Sequence, residues 1–431
     1  MSINSGTKQT EFGEIPNDWT TTTVGDEFEI QLGKMLDREK NLGVSKPFLG
    51  NRAVQWGQIH LSDIGFIKLT RADLQRYRLR RGDLLVCEGG EVGRAAIWNC
   101  PIDECYYQKA LHRLRPKKEY NVRLLLNLLR YFSDYGLLGN FVTQTSIAHL
   151  PKESFAKIPI PLPRPAEQEA ISEALGDADA LIDSLEQLII KKRAIKQGAM
   201  QELLTGKKRL PGFEVKPRYK PTEIGEVPND WQIDTLSSVA HEPMQNGVFF
   251  EPSKKGFGVS LVNVADLYGS SPIEVASLDL FDATTVEQGR FKVADGDLFF
   301  TRSSVVPSGI AHCNLISLKS EEIVVFDSHI IRFRANRRKV DPSFLFRFCV
   351  GSIARRYLVS HAKTGTMTTI DQGVLGGCPI LLPSLTEQCA IANVLSDMDD
   401  EIAAIEAKLI KARAMKQGLM QELLTGRIRL V

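Results

Sequence analysis

Two stretches of this sequence space their apolar residues in alternating steps of three and four, and the two stretches copy each other. In residues 387–426 the seam runs through Ile391, Leu395, Met398, Ile402, Ile405, Leu409 and Ala412. In residues 167–206 the same steps link Ile171, Leu175, Ala178, Ile182, Leu185 and Ile189. Such spacing predicts a long helix whose apolar stripe needs a second helix against it. The copies align without a gap at an offset of 220 residues, and each opens with Glu-Gln and closes with Gln-Glu-Leu-Leu-Thr-Gly. The ends carry helix signals. Ser384 and Glu387 have capping-box spacing, Pro165 suits a first helical position, and Gly206 and Gly426 supply stops. Asp177, Asp179, Asp183 and Glu186 precede Lys191, Lys192, Arg193 and Lys196, the order the helix dipole favours. At 1.5 Å per residue each helix is about 57 Å long.

Outside the helices, short apolar runs alternate with turn residues, as strands do. They too occur in pairs. The heptapeptide from Gly13 to Trp19 (Gly-Glu-Ile-Pro-Asn-Asp-Trp) returns as Gly225 to Trp231 at an offset of 212 residues. Residues 48–51 answer 260–263, 81–86 answer 295–300, 107–112 answer 327–332, and a helical stretch at 122–132 answers 342–349. Proline-rich segments, 158–163 and 378–383, lead stiffly into the two helices. The expected fold class is α+β: two pseudo-twofold-related α/β domains and two long helices forming an antiparallel coiled coil. The expected segments are 1–163 (first domain), 164–206 (first helix), 207–383 (basic, proline-bearing linker and second domain) and 384–431 (second helix).

Length and composition leave this picture standing. The 431 residues suffice for two or three domains, and 43% hydrophobic content is ordinary. No run of apolar residues is long enough to span a membrane, and the first residues lack signal-peptide character. The seven cysteines are scattered without a Cys-x-x-Cys pair, which reads as reduced cytosolic thiols. No phosphate-binding glycine loop, nucleophile elbow or zinc-binding His-Glu-x-x-His motif occurs. The seven histidines do not cluster with carboxylates at metal spacing. Glu88-Gly89-Gly90-Glu91 offers paired acids, yet its counterpart, Arg302-Ser303-Ser304-Val305, keeps neither.

Basic residues say more than the net charge of +2. Arg71, Arg76, Arg78, Arg80 and Arg81 crowd one stretch. His112, Arg113, Arg115, Lys117 and Lys118 form a second cluster, matched in the other half by Arg332, Arg334, Arg337, Arg338 and Lys339. Recurring clusters of this kind suit phosphate contacts on nucleic acid.

The paired helices, the Pro-x-x-Trp opening of each half, the Gly-Asp-Leu turns at Gly82 and Gly296, and the proline-rich lead-ins together resemble the specificity subunits of type I restriction–modification systems. The resemblance covers nearly the whole chain in order. It implies two target-recognition domains, each reading half of a split, asymmetric site in double-stranded DNA. It also implies helices that space those domains and dock two methyltransferase subunits carrying S-adenosylmethionine. Restriction/translocase subunits would use ATP and Mg2+. This chain would then be a non-catalytic, cytoplasmic protein with no cofactor of its own. The alternatives are a coiled-coil interaction scaffold without DNA specificity, and an enzyme with an unfamiliar site.

Two halves on one framework should read different bases where the framework gives way to unlike polar residues. Those places are Glu88 with Arg94 against Thr301, Arg302, Ser303 and Ser304; Tyr107, Gln108 and Lys109 against Ser328 and His329; and Gln144 and Thr145 against Lys363, Thr364 and Thr366. Arg52, Arg78, Arg80, Arg113, Arg332 and Arg334 complete the expected DNA-binding set.

Overall fold

A computed structural model describes residues 6–11, 13–37, 41–144, 148–213, 218–249, 251–269, 271–318 and 322–430. Packing groups the chain into two units, Met1–Gln187 with Glu406–Val431, and Leu188–Ile405. Each unit therefore holds one globular half, the start of one long helix and the end of the other.

In the first unit the central sheet is antiparallel, in the order Phe28–Leu32, Leu111–Pro116, Leu84–Cys87, Ala95–Ile97. The strand Leu84–Cys87 is buried along its whole length, as a continuous apolar run in a sheet covered on both faces should be. One face packs on the helix Val122–Asp134, whose buried apolar residues include Leu124, Leu125, Leu128, Leu129 and Phe132. The other face packs on Leu49, Trp98 and Tyr107. The second unit repeats this plan. Its sheet runs Gln245–Asn246, Ile330–Phe333, Leu298–Thr301, Cys313–Ser317, Ile273–Glu274, with only the last pair parallel. The helix Pro342–Val350 covers one face. The proline-rich strands pair as sheet edges, Pro159–Leu162 with Thr20–Thr23 and Pro379–Leu382 with Gln232–Thr235, where a missing N–H is tolerated.

The long helices are Pro165–Leu203, with 39 residues, and Leu385–Leu424, with 40. They pair antiparallel within each unit. Asp179 binds Lys416 and Glu186 binds Arg413 in the first unit, and Lys192 binds Glu401 and Lys196 binds Asp399 in the second. The seam residues of the second helix are buried at Ile402, Ile405, Leu409 and Ala412; in the first, Ile189 is buried and Ile182 and Leu185 half-buried. Four expected seam residues do a different job. Ile171 and Leu175 belong to the core of the first globular half, and Ile391 and Leu395 to that of the second. Met398 packs half-buried beside the latter. The first turns of each helix thus root it in its own domain. No helix among the described residues is long and apolar enough to cross a membrane.

A clasp explains the recurring Trp, Glu-Gln and Thr-Gly motifs. In the first unit Arg429 grips Asp18 through two bonds of 3.0 Å and Glu167 through its Nε and Nη2, while its guanidinium lies 5.6 Å over the Trp19 ring. Trp19 Nε1 donates to Glu167 Oε2 at 2.9 Å. In the second unit Arg209 grips Asp230 and Glu387 in the same way, 5.5 Å over Trp231. Hydrogen bonds from Arg429 and Arg209 hold the Asp18 and Asp230 carboxyls below their ordinary range. The expected capping box at Ser384 is half formed for this reason: Ser384 Oγ accepts the Glu387 N–H at 3.3 Å, but the Glu387 carboxylate turns to Arg209. Gly206 and Gly426 end the helices with φ of +68° and +70°, and a Cβ on either would strike a clasp proline.

Candidate nucleic-acid interface

Three segments that are far apart in sequence meet beyond one end of the central strand in each unit. In the first, Glu88 N–H donates to Ala110 O at 2.9 Å, and Leu150 N–H donates to Glu88 O at 2.7 Å. The segment after Leu84–Cys87 is thereby tied both to the turn at Gln108–Lys109 and to the hairpin of Thr143–Gln144 and Ala148–His149. In the second unit Arg302 N–H donates to His329 O at 2.9 Å, and Ile370 N–H to Arg302 O at 3.0 Å. Ser303–Ser304 then pairs with Thr368–Thr369, which pairs with Lys363–Thr364. The three candidate reading segments of each half are therefore one surface.

Close backbone packing builds the turn. Gly33 and Gly247 cross the turns at Tyr107–Gln108 and Phe326–Asp327 so closely that a Cβ would lie 2.4 and 1.7 Å from a carbonyl oxygen. The strand register thus matches Tyr107 with Phe326 and Lys109 with Ser328, one residue earlier than the expected pairing of 107–112 with 327–332. Gln108 lies half-buried against Gly50, and Lys109 is exposed. Arg94 is spent locally, donating to Glu91 at 2.9 Å and to Asn51 O at 2.8 Å, which fixes the loop beside exposed Arg52. In the second unit Arg302, Lys363, Thr364 and Thr366 are exposed. Asp327 accepts both the backbone N–H and Nδ1 of His329, at 2.6 and 2.8 Å, and so turns the ring with Nε2 outward. Ser303 and Ser328 are half-buried, and Ser304 is buried. Gln144 lies in its strand; its side chain and Thr145 fall outside the described residues.

Several expected contacts belong to the fold. Tyr107 and Thr301 are wholly buried; Arg113 is 2% and Arg332 4% exposed. Arg113 binds Glu29 at 2.7 Å, and Arg332 binds Glu242 at 2.6 Å. Arg115 and Arg334 each fork onto the aspartate of a Gly-Asp-Leu turn, Asp83 at 2.6 and 2.9 Å and Asp297 at 2.8 and 2.7 Å. The matched arginines recur because each meets a matched carboxylate, buried at Asp83 and Asp297 and nearer the surface at Glu29 and Glu242. The guanidiniums of Arg113, Arg115, Arg332 and Arg334 are engaged within the fold. Arg78 and Arg80 are exposed but lie before the turn that enters Leu84–Cys87, at the other end of the strand from Glu88.

Sequence reasoning missed Asn246 and Gln372. Their amides bond at 2.6 Å, and Asn246 also donates to Ser328 O at 3.0 Å, beside the reading turn. A lone Asn and a lone Gln carry no local signal. The clasp arginines did carry one, an Arg three residues after Gly206 and again after Gly426.

The sequence matches the family described as the type I restriction modification DNA specificity domain twice, over residues 16–192 and 228–412. It is 26% identical over 451 residues to the putative type I restriction enzyme MjaX specificity subunit of Methanocaldococcus jannaschii, covering 98% of this chain and 96% of that one. It is 23% identical over 441 residues to the EcoKI specificity subunit of Escherichia coli, covering 97% and 90%. The fold is similar to that of the S subunit of the type I restriction–modification system of M. genitalium, with a TM-score of 0.55 at 12% identity over 98% of both chains.

Proposed function

The chain belongs to the type I restriction–modification DNA specificity family, and from that premise we propose that its two units each read one half of a split, asymmetric DNA target. The observation that carries this reading is the pair of three-segment surfaces. Their backbones are tied alike in the two units, while their side chains differ: Glu88, Gln108 and Lys109 in one; Arg302, His329 and Lys363 in the other. An amide or guanidinium can make paired hydrogen bonds to a base edge in the major groove, and lysine or threonine can anchor on phosphate.

The DNA-binding set is accordingly Arg52, Glu88, Gln108, Lys109 and the Gln144–Thr145 hairpin in the first unit. In the second it is Arg302, Ser303, His329, Lys363, Thr364 and Thr366. The long helices set the spacing between half-sites and dock two methyltransferase subunits. Adenine methylation with S-adenosylmethionine, and translocation and cleavage with ATP and Mg2+, take place on partner subunits in the cytoplasm.

Coexpression with a cognate methyltransferase subunit, followed by mapping of methylated adenines, tests the reading. A two-part motif with an unspecified gap is expected. Methylation at a short continuous motif, or at random sites, would overturn it.

A further inference from the structure

The two units share a helix-pair ion pair but differ beside it. In the second unit Asp399 accepts from both Lys196 and Arg347, and Arg347 Nη2 lies 3.4 Å from Ser396 Oγ. The Arg347 side chain is only 10% exposed. The residues of the first unit that correspond to Asp399, Lys196, Arg347 and Ser396 are Asp179, Lys416, Asn127 and Gly176. Matching bonds fix this correspondence: the Asn121 N–H to Gln168 Oε1 at 2.8 Å, and the Asp341 N–H to Gln388 Oε1 at 2.9 Å. Lys416 reaches Asp179 at 2.5 Å, as Lys196 reaches Asp399. Asn127 is too short to follow Arg347, and its amide donates to Arg123 O at 3.0 Å. A Cβ on Gly176 would meet nothing within 4 Å. The outcome is a groove of about 1140 Å³ bordered by Trp56, Asn127, Ser172, Gly176 and Asp179.

Its polar lining is unbalanced. Ser172 is 1% exposed, and its Oγ has no hydrogen-bond partner among the described residues. Glu173 and Asp177 line the groove without an ion pair among those residues, and Asp183 meets only the Gln58 amide, at 3.4 Å. Of the cations in the lining, Arg130, Arg413 and Lys416 are held by Asp134, Glu186 and Asp179, which leaves Arg123 against the three exposed carboxylates. Acids exceed cations by two, and the buried Ser172 hydroxyl still lacks a partner among the described residues, so a donor-rich cation is the fitting guest.

We propose that this groove receives an arginine side chain of a partner polypeptide, its guanidinium taking in the first unit the role that Arg347 plays in the second. The planar fork of a guanidinium serves a carboxylate and a hydroxyl together, whereas an ammonium is a point charge that Lys416 already supplies. Free arginine fits less well, because it brings a further carboxylate into a groove whose six carboxylates already outnumber its four cations. The inference goes beyond DNA reading and does not depend on it.

Trp56 borders the groove, while Trp19, Trp98 and Trp231 are each 1% exposed, so Trp56 fluorescence reports on occupancy. The full chain is titrated at fixed ionic strength with N-acetyl-arginine amide, N-acetyl-lysine amide and free arginine, with Trp56→Phe as the blank. A saturable response to the blocked arginine is expected, with binding about tenfold weaker for the other two. Asn127→Arg, which supplies its own guanidinium, and Gly176→Leu, which fills the groove, should both abolish the response. Gly176→Leu decides alone if Asn127→Arg misfolds. A flat titration, an equal response to lysine, or a full response in a folded variant overturns the proposal. Equal binding of free arginine overturns its polypeptide source.

Discussion

Asp297 is fully buried, and its carboxylate is held by the fork of Arg334. Removing that fork leaves a charge in the interior. Arg334→Ala should therefore cost about 3–5 kcal/mol in denaturant unfolding. The salt dependence of DNA binding by the protein that remains folded should be unchanged, since the lost guanidinium is not a phosphate contact. Arg302 should behave in the opposite way. It is exposed on the proposed reading surface, so Arg302→Ala should leave stability within about 0.5 kcal/mol. It should cost about 1–3 kcal/mol on the cognate site and relax specificity in one half-site only. Binding titrations on cognate and scrambled duplexes separate the two cases. His112 adds a pH dependence. Its Nε2 donates to Leu150 O at 2.8 Å, and burial pulls its pKa from 6.5 to about 4. Between those values the unfolded chain binds a proton that the folded chain refuses. Stability is thus fully present above the unfolded value and falls as pH drops toward the folded one, by about 3 kcal/mol in all. Urea unfolding between pH 7 and pH 4 should show this slope, and His112→Gln should flatten it. At this scale the sequence misleads in one systematic way. Arg113, Arg332 and Arg334 look like surface charge, because their partners Glu29, Glu242 and Asp297 are distant in sequence and only the fold brings them together.

Elements were far more legible than side chains. The seam spacing marks both long helices to within a few residues, since each is long, strongly periodic and ended by Gly at positive φ. The Gly-Asp-Leu turns mark the entry to each central strand. What the spacing could not reveal is which neighbour a seam residue meets. Leu395 continues the heptad, yet it lies in the core of the second globular half. A charge there would damage that core as well as the helix pair. Ile402 is the cleaner probe, because it is buried next to the Lys192–Glu401 ion pair and outside the globular core. Ile402→Asp should loosen the helix pair and weaken methyltransferase docking on size-exclusion chromatography. The near-ultraviolet signal of the globular halves should be retained.

For the whole molecule, the proposal that the helices space the half-sites has a numerical consequence. Four residues inserted after Leu185 and after Ile405 lengthen each helix by roughly 6 Å. With about 3.4 Å of duplex per base pair, this approaches two base pairs. The helix gains about 40° beyond a full turn, against about 70° for two base pairs of DNA, a mismatch that twist can absorb. Methylome sequencing should show the same half-sites with one or two more unspecified base pairs between them. An active variant with unaltered spacing would remove the helices from that role.

The clasp makes the order of segments along the gene freer than their order in space. Arg209 closes the second unit, and the chain then runs through residues 210–218 to the hairpin strand Tyr219–Thr222. Arg429 closes the first unit in the same way, and Thr7–Thr10 is the matching hairpin strand. A copy of residues 210–218 placed between Arg429 and Thr7 would turn the polypeptide into a loop without altering any contact described above. That loop could then be opened between residues 213 and 218. The product would begin with the second globular half and end with the first, its long helices exchanged in order of synthesis. Circular dichroism and the methylated motif should both be those of the parent. The two halves of the recognition sequence would then be independent of which half of the protein is translated first.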